Sequence, residues 1–377
     1  MSIGIYIDPP ARSLQQDRFF ARNTGRFHSS LARCLTFVKD TFEAQGIPVH
    51  TADLLPAPKD SDRHLYISIG NHANYERLAK RPDIILSAFF VTEAPVVEPR
   101  IYRGLAVARH LFKHVYSCID QDKITEFAGA PIDCIPLRWP IDFRGVDPDL
   151  WSTEDRGFLV MINMNKLPCL PRYELYTERM RAVEFFSHTN DIDLYGIGWD
   201  KASMQMGRTL VPRILQPAHI ALRDWFDRIH PDPLLVAARK VYKGELETKW
   251  ETLAAYDFVL CFENTWLNGW LTEKLFESLR VGTIPIYWGA ADIKELIPSE
   301  CFIDMREFGN YAELHAFLKS LDRAAVRRYR DAGRAFLESR AFEPFSKETF
   351  AGIFRDLLEK DAGVQATVET RGVGRIP

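Results

Sequence analysis

The chain has 377 residues, a length at which one hydrophobic core usually gives way to two domains. Apolar residues make up 46% and charged residues 26% of the sequence, which is typical of a folded protein and not of a disordered one. The 48 Lys and Arg are balanced by 51 Asp and Glu, so no global basic field exists that would attract nucleic acid.

The N-terminal sequence Met-Ser-Ile-Gly-Ile-Tyr-Ile-Asp contains no basic segment, and its apolar run is too short for a signal peptide. No uninterrupted apolar stretch reaches the length of about 18 residues that a membrane-spanning helix needs. The six cysteines form no Cys-x-x-Cys pair, and we expect reduced thiols. These features predict a cytoplasmic protein without a membrane span.

The first half of the chain alternates short apolar runs with helical patterns. A strand-like run at 3–7 precedes a segment in which Leu31, Leu35, Val38 and Phe42 share one helical face. Further strand-like runs lie at 65–69, 84–91 and 115–118. This alternation predicts a Rossmann-like domain over residues 1–150, which ends in a polar, proline-bearing stretch.

A second alternating series predicts another Rossmann-like domain over residues 151–362, followed by a tail at 363–377. Its predicted strands and helix are 158–162, 193–197, 258–262, 271–281 (the helix) and 284–288. The chain becomes mostly helical after Asp304. The segment 201–239 is harder to assign and is interpreted as an insertion or loop. The predicted fold class is therefore α/β.

The most informative segment combines three short motifs. It runs Phe-Glu-Asn-Thr at 262–265, Leu-Thr-Glu-Lys-Leu at 271–275 and Thr-Ile-Pro-Ile-Tyr-Trp-Gly at 283–289. Its polar residues follow a predicted strand, at the edge where open α/β sheets bind ligands. Glu273 and Lys274 fall in the first helical turn, where backbone N–H groups attract phosphate. The alternative is a helix cap at Thr272 followed by a solvated surface pair.

These motifs resemble the signature of the soluble, bacterial-type α1,3/4-fucosyltransferase family. That signature runs Phe-Glu-Asn-Ser, then Tyr-Ile/Val-Thr-Glu-Lys, then a helix and Val-Pro-Val/Ile-Tyr-Trp-Gly. The similarity extends over roughly residues 155–350, with Glu-Leu-Tyr-Thr-Glu-Arg at 174–179 and Lys-Gly at 243–244. In the first half it is limited mostly to 89–95. The resemblance implies a GT-B fold, in which two Rossmann-like domains face each other across a cleft.

The resemblance also implies a donor site for GDP-fucose. Arg179 and Lys274 would contact the GDP phosphates, while Asn264 and Glu273 would help to position the donor. Trp270 stands where the family usually has Tyr, so the apolar ring is kept but a phenolic O–H is lost. We expect the Trp270 ring to pack against the donor. For Arg179, a structural arginine on a helix surface is the alternative.

The first half contributes the candidate catalytic base. Glu93 follows the predicted strand 84–91, and family members have a proposed acidic base in the corresponding motif. The alternative is that Glu93 is a surface carboxylate without a catalytic role. Glu98 and Asp8 are lesser candidates for the base.

No metal ligand set is predicted. Asp191-Ile192-Asp193 matches a metal motif of another glycosyltransferase fold, but it lies at the start of a predicted strand and not at its carboxyl end. Positive side chains and a helix N-terminus can offset diphosphate charge without a metal. We therefore expect no required cofactor.

The predicted function is an inverting transfer of L-fucose from GDP-fucose to a hydroxyl of a glycan acceptor, with an α1,3 or α1,4 linkage to N-acetylglucosamine. The alternatives are a GT-B transferase that uses another nucleotide sugar, and a sugar- or nucleotide-binding protein without catalysis. The sequence does not determine the acceptor glycan or the oligomeric state.

Overall fold

A computed structural model describes residues 2–21, 30–205, 215–246 and 248–368. The chain divides into two compact units. The first contains Met1–Glu93, Arg100–Arg144 and Ala341–Pro377, and the second contains Ala94–Pro99 and Gly145–Arg340.

Strands and helices alternate along the described residues. The strands are β1 (Ile3–Asp8), β2 (Val49–Thr51), β3 (Arg63–Ile69), β4 (Ile84–Val91), β5 (His114–Ser117), β6 (Ile135–Pro136), β7 (Gly157–Ile162), β8 (Lys166–Leu167), β9 (Ile192–Tyr195), β10 (Met204–Gln205), β11 (Tyr242–Gly244), β12 (Tyr256–Phe262), β13 (Ile284–Trp288) and β14 (Ile303–Asp304). The α-helices are α1 (Ser30–Glu43), α2 (Tyr75–Leu78), α3 (Pro99–Ala108), α4 (Gln121–Ala128), α5 (Pro148–Trp151), α6 (Tyr176–Thr189), α7 (Gln216–Ile229), α8 (Pro233–Val241), α9 (Lys249–Ala254), α10 (Glu273–Arg280), α11 (Ile293–Leu296), α12 (Tyr311–Ser320), α13 (Arg323–Glu338) and α14 (Lys347–Leu357).

Each unit is built on a parallel sheet. Over the described residues, the strand order is β2-β1-β3-β4-β5-β6 in the first unit and β11-β9-β7-β12-β13-β14 in the second. All neighbouring strands in both sheets run parallel. The α/β class is therefore confirmed, with one Rossmann-like sheet in each unit.

The apolar patterns explain why these elements form. Strands β4 and β12 are continuous apolar runs because helices cover both faces of a parallel sheet. Helix α1 buries the predicted face, including Leu35, Val38 and Phe42. Helix α10 ends at Arg280, and Gly282 follows with a φ of +73°, a left-handed conformation that glycine adopts without strain.

The structure differs from the predicted organisation at the C-terminus. The sequence assigned residues up to 362 to the second domain, whereas Ala341–Pro377 belongs to the first unit. Helix α14 explains the difference, because the rings of Phe350 and Phe354 lie 6.0 and 5.9 Å from that of Phe90 on β4. The short edge strands β2, β6 and β14 were also missed, since two or three residues carry no measurable periodicity.

The segment 201–239 contains helix α7 and most of α8, while residues 206–214 lie outside the described part of the chain. The six cysteines, all within the described residues, form no disulfide, and four of them are buried. No helix within the described ranges combines the length and the apolar character needed to cross a bilayer.

Candidate active site

The carboxyl end of β12 leads directly into Glu263 and Asn264. Strand β12 lies between β7 and β13 in the middle of the second sheet, so this end opens at the edge where parallel sheets bind ligands. The backbone N–H of Glu263 still donates to the carbonyl of Trp288 at 2.7 Å, which extends the pairing with β13 by one residue. The strand register thereby fixes the position of the Glu263 side chain.

The Glu263 carboxylate is fully buried and accepts hydrogen bonds from three groups. The backbone N–H and the hydroxyl of Thr272 donate to Oε1 at 2.8 and 2.7 Å. The Lys274 ammonium donates to Oε2 at 2.8 Å and to the Thr272 hydroxyl at 2.9 Å. Thr272 precedes α10 but makes no side-chain cap hydrogen bond, because its hydroxyl is engaged with Glu263. The network therefore fixes the start of α10 against the end of β12.

Lys274 carries its charge at this edge of the sheet. Burial alone would lower the pKa of the ammonium group, but the carboxylates of Glu263 and Glu273 outweigh burial, so the pKa is raised. Lys274 is therefore protonated throughout the neutral range. Its side chain is 20% exposed, whereas the Glu263 side chain has no exposed surface. The positive end of the pair is thus the part that an anionic ligand can reach.

Arg179 organises the other side of the β12 terminus. Its guanidinium donates to the carbonyl of Phe262 at 2.7 and 3.2 Å and to the side-chain oxygen of Asn264 at 3.0 Å. It also lies over the Tyr176 ring, 4.5 Å from the centroid. Arg179 is only 4% exposed. The structure therefore brings Arg179 and Asn264 together as predicted, but it places the guanidinium within the protein, where it holds the loop.

Trp270 and Glu273 flank the same network. Trp270 is 1% exposed, and its carbonyl lies 3.5 Å from the hydroxyl of Tyr287 on β13. The indole ring is thus enclosed by the protein, which leaves almost no ring surface for a ligand to contact. Glu273 is half-buried and is the first residue of α10.

Two neighbouring loops at this edge approach each other closely. Gly196 follows β9 with a φ of +130°, and a Cβ atom there would lie 1.9 Å from the carbonyl oxygen of Asn163. The same carbonyl accepts a hydrogen bond of 2.7 Å from the indole of Trp199. Asn165 donates to the carbonyls of Gly198 and Lys201 at 2.9 and 3.1 Å. Only glycine fits at Gly196, and its absent side chain lets the loops after β7 and β9 join.

In the first unit, Glu93 lies two residues beyond the end of β4. The residue is half-buried, and its backbone carbonyl accepts a hydrogen bond of 2.7 Å from the hydroxyl of Tyr102. Glu98 is also half-buried. Glu93 therefore stands at the carboxyl edge of the first sheet, as its place after β4 predicted.

Asp8 is enclosed more completely than either glutamate. Its carboxylate accepts hydrogen bonds from the Tyr66 hydroxyl and from the side-chain amides of Asn71 and Asn74. Burial raises the pKa of Asp8, although these three donors oppose the rise. Asp8 is therefore committed to a hydrogen-bond network that links β1, β3 and the following loop.

The Asp191-Ile192-Asp193 motif lies at the amino end of β9, as predicted. The carboxylate of Asp191 accepts from Lys319 at 2.6 Å and from His315 at 2.8 Å. Asp193 accepts from the Tyr256 hydroxyl at 2.6 Å. Among residues 2–21, 30–205, 215–246 and 248–368, no group of three or more His, Cys, Asp or Glu is arranged to hold a metal ion.

Sequence reasoning missed the role of Glu263. Glu263 was noted only as part of the Phe-Glu-Asn-Thr motif at 262–265, without a predicted function of its own. The available signal was a glutamate placed directly after a buried apolar strand and followed at a fixed distance by Thr272 and Lys274. A carboxylate in such a position needs a buried donor, and Lys274 supplies it.

The two six-stranded parallel sheets, one in each unit, have the architecture of the GT-B fold. A solved α1,3-fucosyltransferase structure with GDP-fucose shares that fold at a TM-score of 0.50 and 15% identity, with 96% of this chain and 92% of that chain covered. Residues 236–332 match the family model for the C-terminal region of glycosyltransferase family 10 (fucosyltransferase). The matched part of the chain, which contains Glu263, Asn264 and Lys274, is similar to the C-terminal region of that family.

Curated relatives match over shorter stretches of about a fifth to a third of the chain. An α-(1,4)-fucosyltransferase of Arabidopsis thaliana is 40% identical over 86 residues, which cover 22% of this chain and 21% of the relative. A GDP-fucose protein O-fucosyltransferase 3 of Bos taurus is 34% identical over 114 residues, which cover 30% of this chain and 22% of the relative. The chain thus spans about a fifth of the length of the curated relatives it matches.

Proposed function

We propose that this protein is an inverting fucosyltransferase that moves L-fucose from GDP-fucose to a hydroxyl of a glycan acceptor. The observation that carries the proposal is the network of Glu263, Thr272 and Lys274 within the segment that matches the fucosyltransferase family. This network holds the Lys274 ammonium group, paired with Glu263, at the carboxyl edge of a parallel sheet, in the first turn of α10.

In the proposed reaction, Lys274 and the N-terminus of α10 offset the charge of the departing diphosphate. That charge grows as the bond between fucose and phosphate breaks, so a fixed cation lowers the barrier more than it strengthens ground-state binding. Glu263 keeps the Lys274 side chain in place before the donor arrives, because the two groups are already hydrogen-bonded at 2.8 Å. Glu273 and Asn264 would position the donor.

Arg179 and Trp270 act through other residues in this proposal. The Arg179 guanidinium fixes the Phe262 carbonyl and the Asn264 amide, and Trp270 is a buried residue of the loop that joins β12 to α10. Their burial supports a positioning role, in which each sets the shape of the donor-binding loop without extensive donor contact.

The acceptor hydroxyl must lose a proton as it attacks the anomeric carbon. We assign this proton to the Glu93 carboxylate, because the residue follows β4 at the carboxyl edge of its sheet and retains solvent access. In an inverting reaction, the base acts on the face of the sugar opposite to the leaving diphosphate. The new bond is proposed to be an α1,3 or α1,4 linkage to N-acetylglucosamine.

The test is incubation of the full chain with GDP-fucose and a panel of oligosaccharides that bear galactose or N-acetylglucosamine. Release of GDP together with a deoxyhexose added to one acceptor, detected by mass analysis, would support the proposal. Consumption of a different nucleotide sugar in a parallel donor panel would contradict the assignment of the donor. GDP-fucose binding without GDP release on any acceptor, peptides included, would indicate a binding protein.

A further inference from the structure

A second pair of lysine and glutamate lies on α10. Lys249, the first residue of α9, forms an ion pair with Glu277 of α10. The side chain of Glu277 is only 7% exposed, whereas that of Lys249 is 40% exposed. The pair therefore has the same arrangement as Glu263 and Lys274, in which the carboxylate is enclosed and the ammonium group is the part that a ligand can reach.

The two lysine side chains lie on the same side of α10. Lys274 stands in the first turn, and Glu277 follows it by three residues, a spacing at which side chains are neighbours on a helix surface. Glu277 holds the ammonium group of Lys249 beside this helix face. The charge of Lys274 is close enough to influence the pKa of Lys249, and both charges influence the pKa of the Cys261 thiol near the end of β12. Two ammonium groups are thus placed next to the carboxyl end of β12.

Lys249 is charged and has donors to spare. Its partial burial would lower the pKa of the ammonium group, but the carboxylates of Glu277 and Glu273 outweigh burial, so the pKa is raised. Within the described residues, the ammonium group donates only to Glu277. Because an ammonium group has three N–H donors, two of those of Lys249 remain for a ligand. Recognition here depends on these directed donors and not on an excess of positive charge.

The proposed donor needs a second cation at this edge of the sheet. A diphosphate has two phosphate groups, and the sequence assigned Arg179 and Lys274 to them. The Arg179 guanidinium is 4% exposed and is engaged with the Phe262 carbonyl and the Asn264 side chain. Of the two predicted cations, Lys274 is therefore the one that retains an accessible charge, and the second phosphate group has no predicted partner.

We propose that Lys249 is a further donor-binding residue, which contacts one phosphate group of the nucleoside diphosphate while Lys274 contacts the other. This inference rests on the proposed function, in which GDP-fucose binds at this edge of the second sheet. Charge-assisted hydrogen bonds from an ammonium group to phosphate oxygens are about twice as strong as neutral ones. Glu277 is then a positioning residue, because it holds the Lys249 side chain beside α10 before the donor arrives.

Calorimetry of the full chain with GDP and with GMP tests the inference. GDP has both phosphate groups and GMP has one, so the two lysines should differ in their response. We expect Lys249→Met and Lys274→Met each to weaken GDP binding by at least about 10-fold, and only one of these variants to weaken GMP binding. Loss of GMP affinity in both variants, or in neither, would overturn the inference.

The control for removal of a charge is Lys113→Met. Lys113 of the first unit is 48% exposed and pairs at 3.3 Å with Asp361, whose side chain is 4% exposed, so this pair is close in exposure to that of Lys249 and Glu277. We expect Lys113→Met to bind GDP as wild type. A comparable loss of GDP affinity in this control would show a general effect of charge removal and would overturn the inference.

A double variant separates the loss of the cation from its effect on Glu277. Lys249→Met leaves the Glu277 carboxylate without its ammonium partner, and addition of Glu277→Gln removes that charge. We expect the double variant to regain thermal stability while its GDP affinity stays as low as that of Lys249→Met. Wild-type GDP affinity in either variant would overturn this inference alone, whereas a wild-type chain that binds no GDP would contradict the proposed donor as well.

Discussion

The edge after β12 and the edge after β4 are equivalent places in two parallel sheets, and each carries a glutamate with a different environment. Glu263 comes directly after β12, is fully buried and is saturated by the donors of Thr272 and Lys274. Glu93 follows β4 by two residues and is half-buried. The Glu263 carboxylate has all its hydrogen-bonding capacity directed to protein groups, whereas the Glu93 side chain retains solvent access. The comparison supports a structural role for Glu263 and is consistent with the proposed role of Glu93 as the base.

Asp8 extends the comparison within the first unit. Like Glu263, it is buried and accepts from three donors, in this case the side chains of Tyr66, Asn71 and Asn74. Unlike Glu263, it has no ammonium partner among them, and burial raises its pKa. Of the three acidic residues considered for the base, Asp8 thus resembles the buried Glu263. Glu93 and Glu98 are the two that retain solvent access.

The largest effect is expected for Glu93→Gln, which keeps the side-chain shape but cannot accept a proton. Turnover should fall by about 10² to 10⁴, the usual contribution of general-base catalysis. Donor affinity, measured by calorimetry with GDP-fucose, should stay close to wild type. Near-normal turnover would mean that another group is the base, and Glu98→Gln would then be examined.

The buried pair predicts a large effect on stability. Lys274→Met removes the cation and leaves the Glu263 carboxylate buried without its charged partner, which should lower the free energy of unfolding by about 3–5 kcal/mol. Adding Glu263→Gln removes the stranded charge and should restore a substantial part of that stability in denaturant titrations. If the double variant were no more stable than Lys274→Met, the pair would not be coupled as the geometry indicates.

A loss of stability of similar size is expected at Trp270. Trp270→Ala creates a cavity beneath the donor-binding loop, which should cost about 3–5 kcal/mol of stability and weaken donor binding through the disturbed loop. Trp270→Tyr keeps an aromatic ring and restores the usual family residue, so its donor affinity should be close to wild type. Calorimetry with GDP-fucose on both variants measures the difference. An unchanged donor affinity in the alanine variant would show that the Trp270 ring does not contribute to donor binding.

The smallest effect is expected from metal removal. Positive side chains and the α10 N-terminus are proposed to offset the diphosphate charge, so a chelator should leave most of the activity in place. The measurement is GDP release with and without the chelator. Complete loss of activity that returns on addition of Mn²⁺ or Mg²⁺ would contradict a metal-free mechanism.

Much of the fold could be predicted because the spacing of apolar residues along the chain follows the periods of strands and helices. Strand β4 was predicted at its observed bounds, and the buried face of α1 was predicted residue by residue. The return of α14 to the first unit was not, because pairing between distant segments leaves no local pattern. Helix α7 was also not predicted. Several of its large apolar residues face solvent, so they do not form the buried face from which a packed helix is usually recognised.

The candidate site also combines features that the sequence predicted with features that only the structure shows. Motif spacing led to Asn264, Glu273 and Lys274, since these residues are close in sequence to the strand and helix that carry them. The burial of Arg179 and the pairing of Glu263 with Lys274 depend on tertiary contacts, such as the hydrogen bonds from Arg179 to Phe262 across 83 residues. The sequence therefore predicted the candidate site, and only the structure distinguished its partly exposed side chains from its buried ones.

The most direct test of the central claim compares two lysines of similar exposure, each of which forms an ion pair with a glutamate. Lys274 pairs with Glu263 at 2.8 Å and is 20% exposed, while Lys39 of the first unit pairs with Glu43 at 2.7 Å and is 17% exposed. GDP-fucose affinity of the two methionine variants should be measured by calorimetry under conditions where both remain folded. The account predicts that Lys274→Met weakens binding by at least about 10-fold and that Lys39→Met binds as wild type. Equal donor affinity in wild type and Lys274→Met would contradict it.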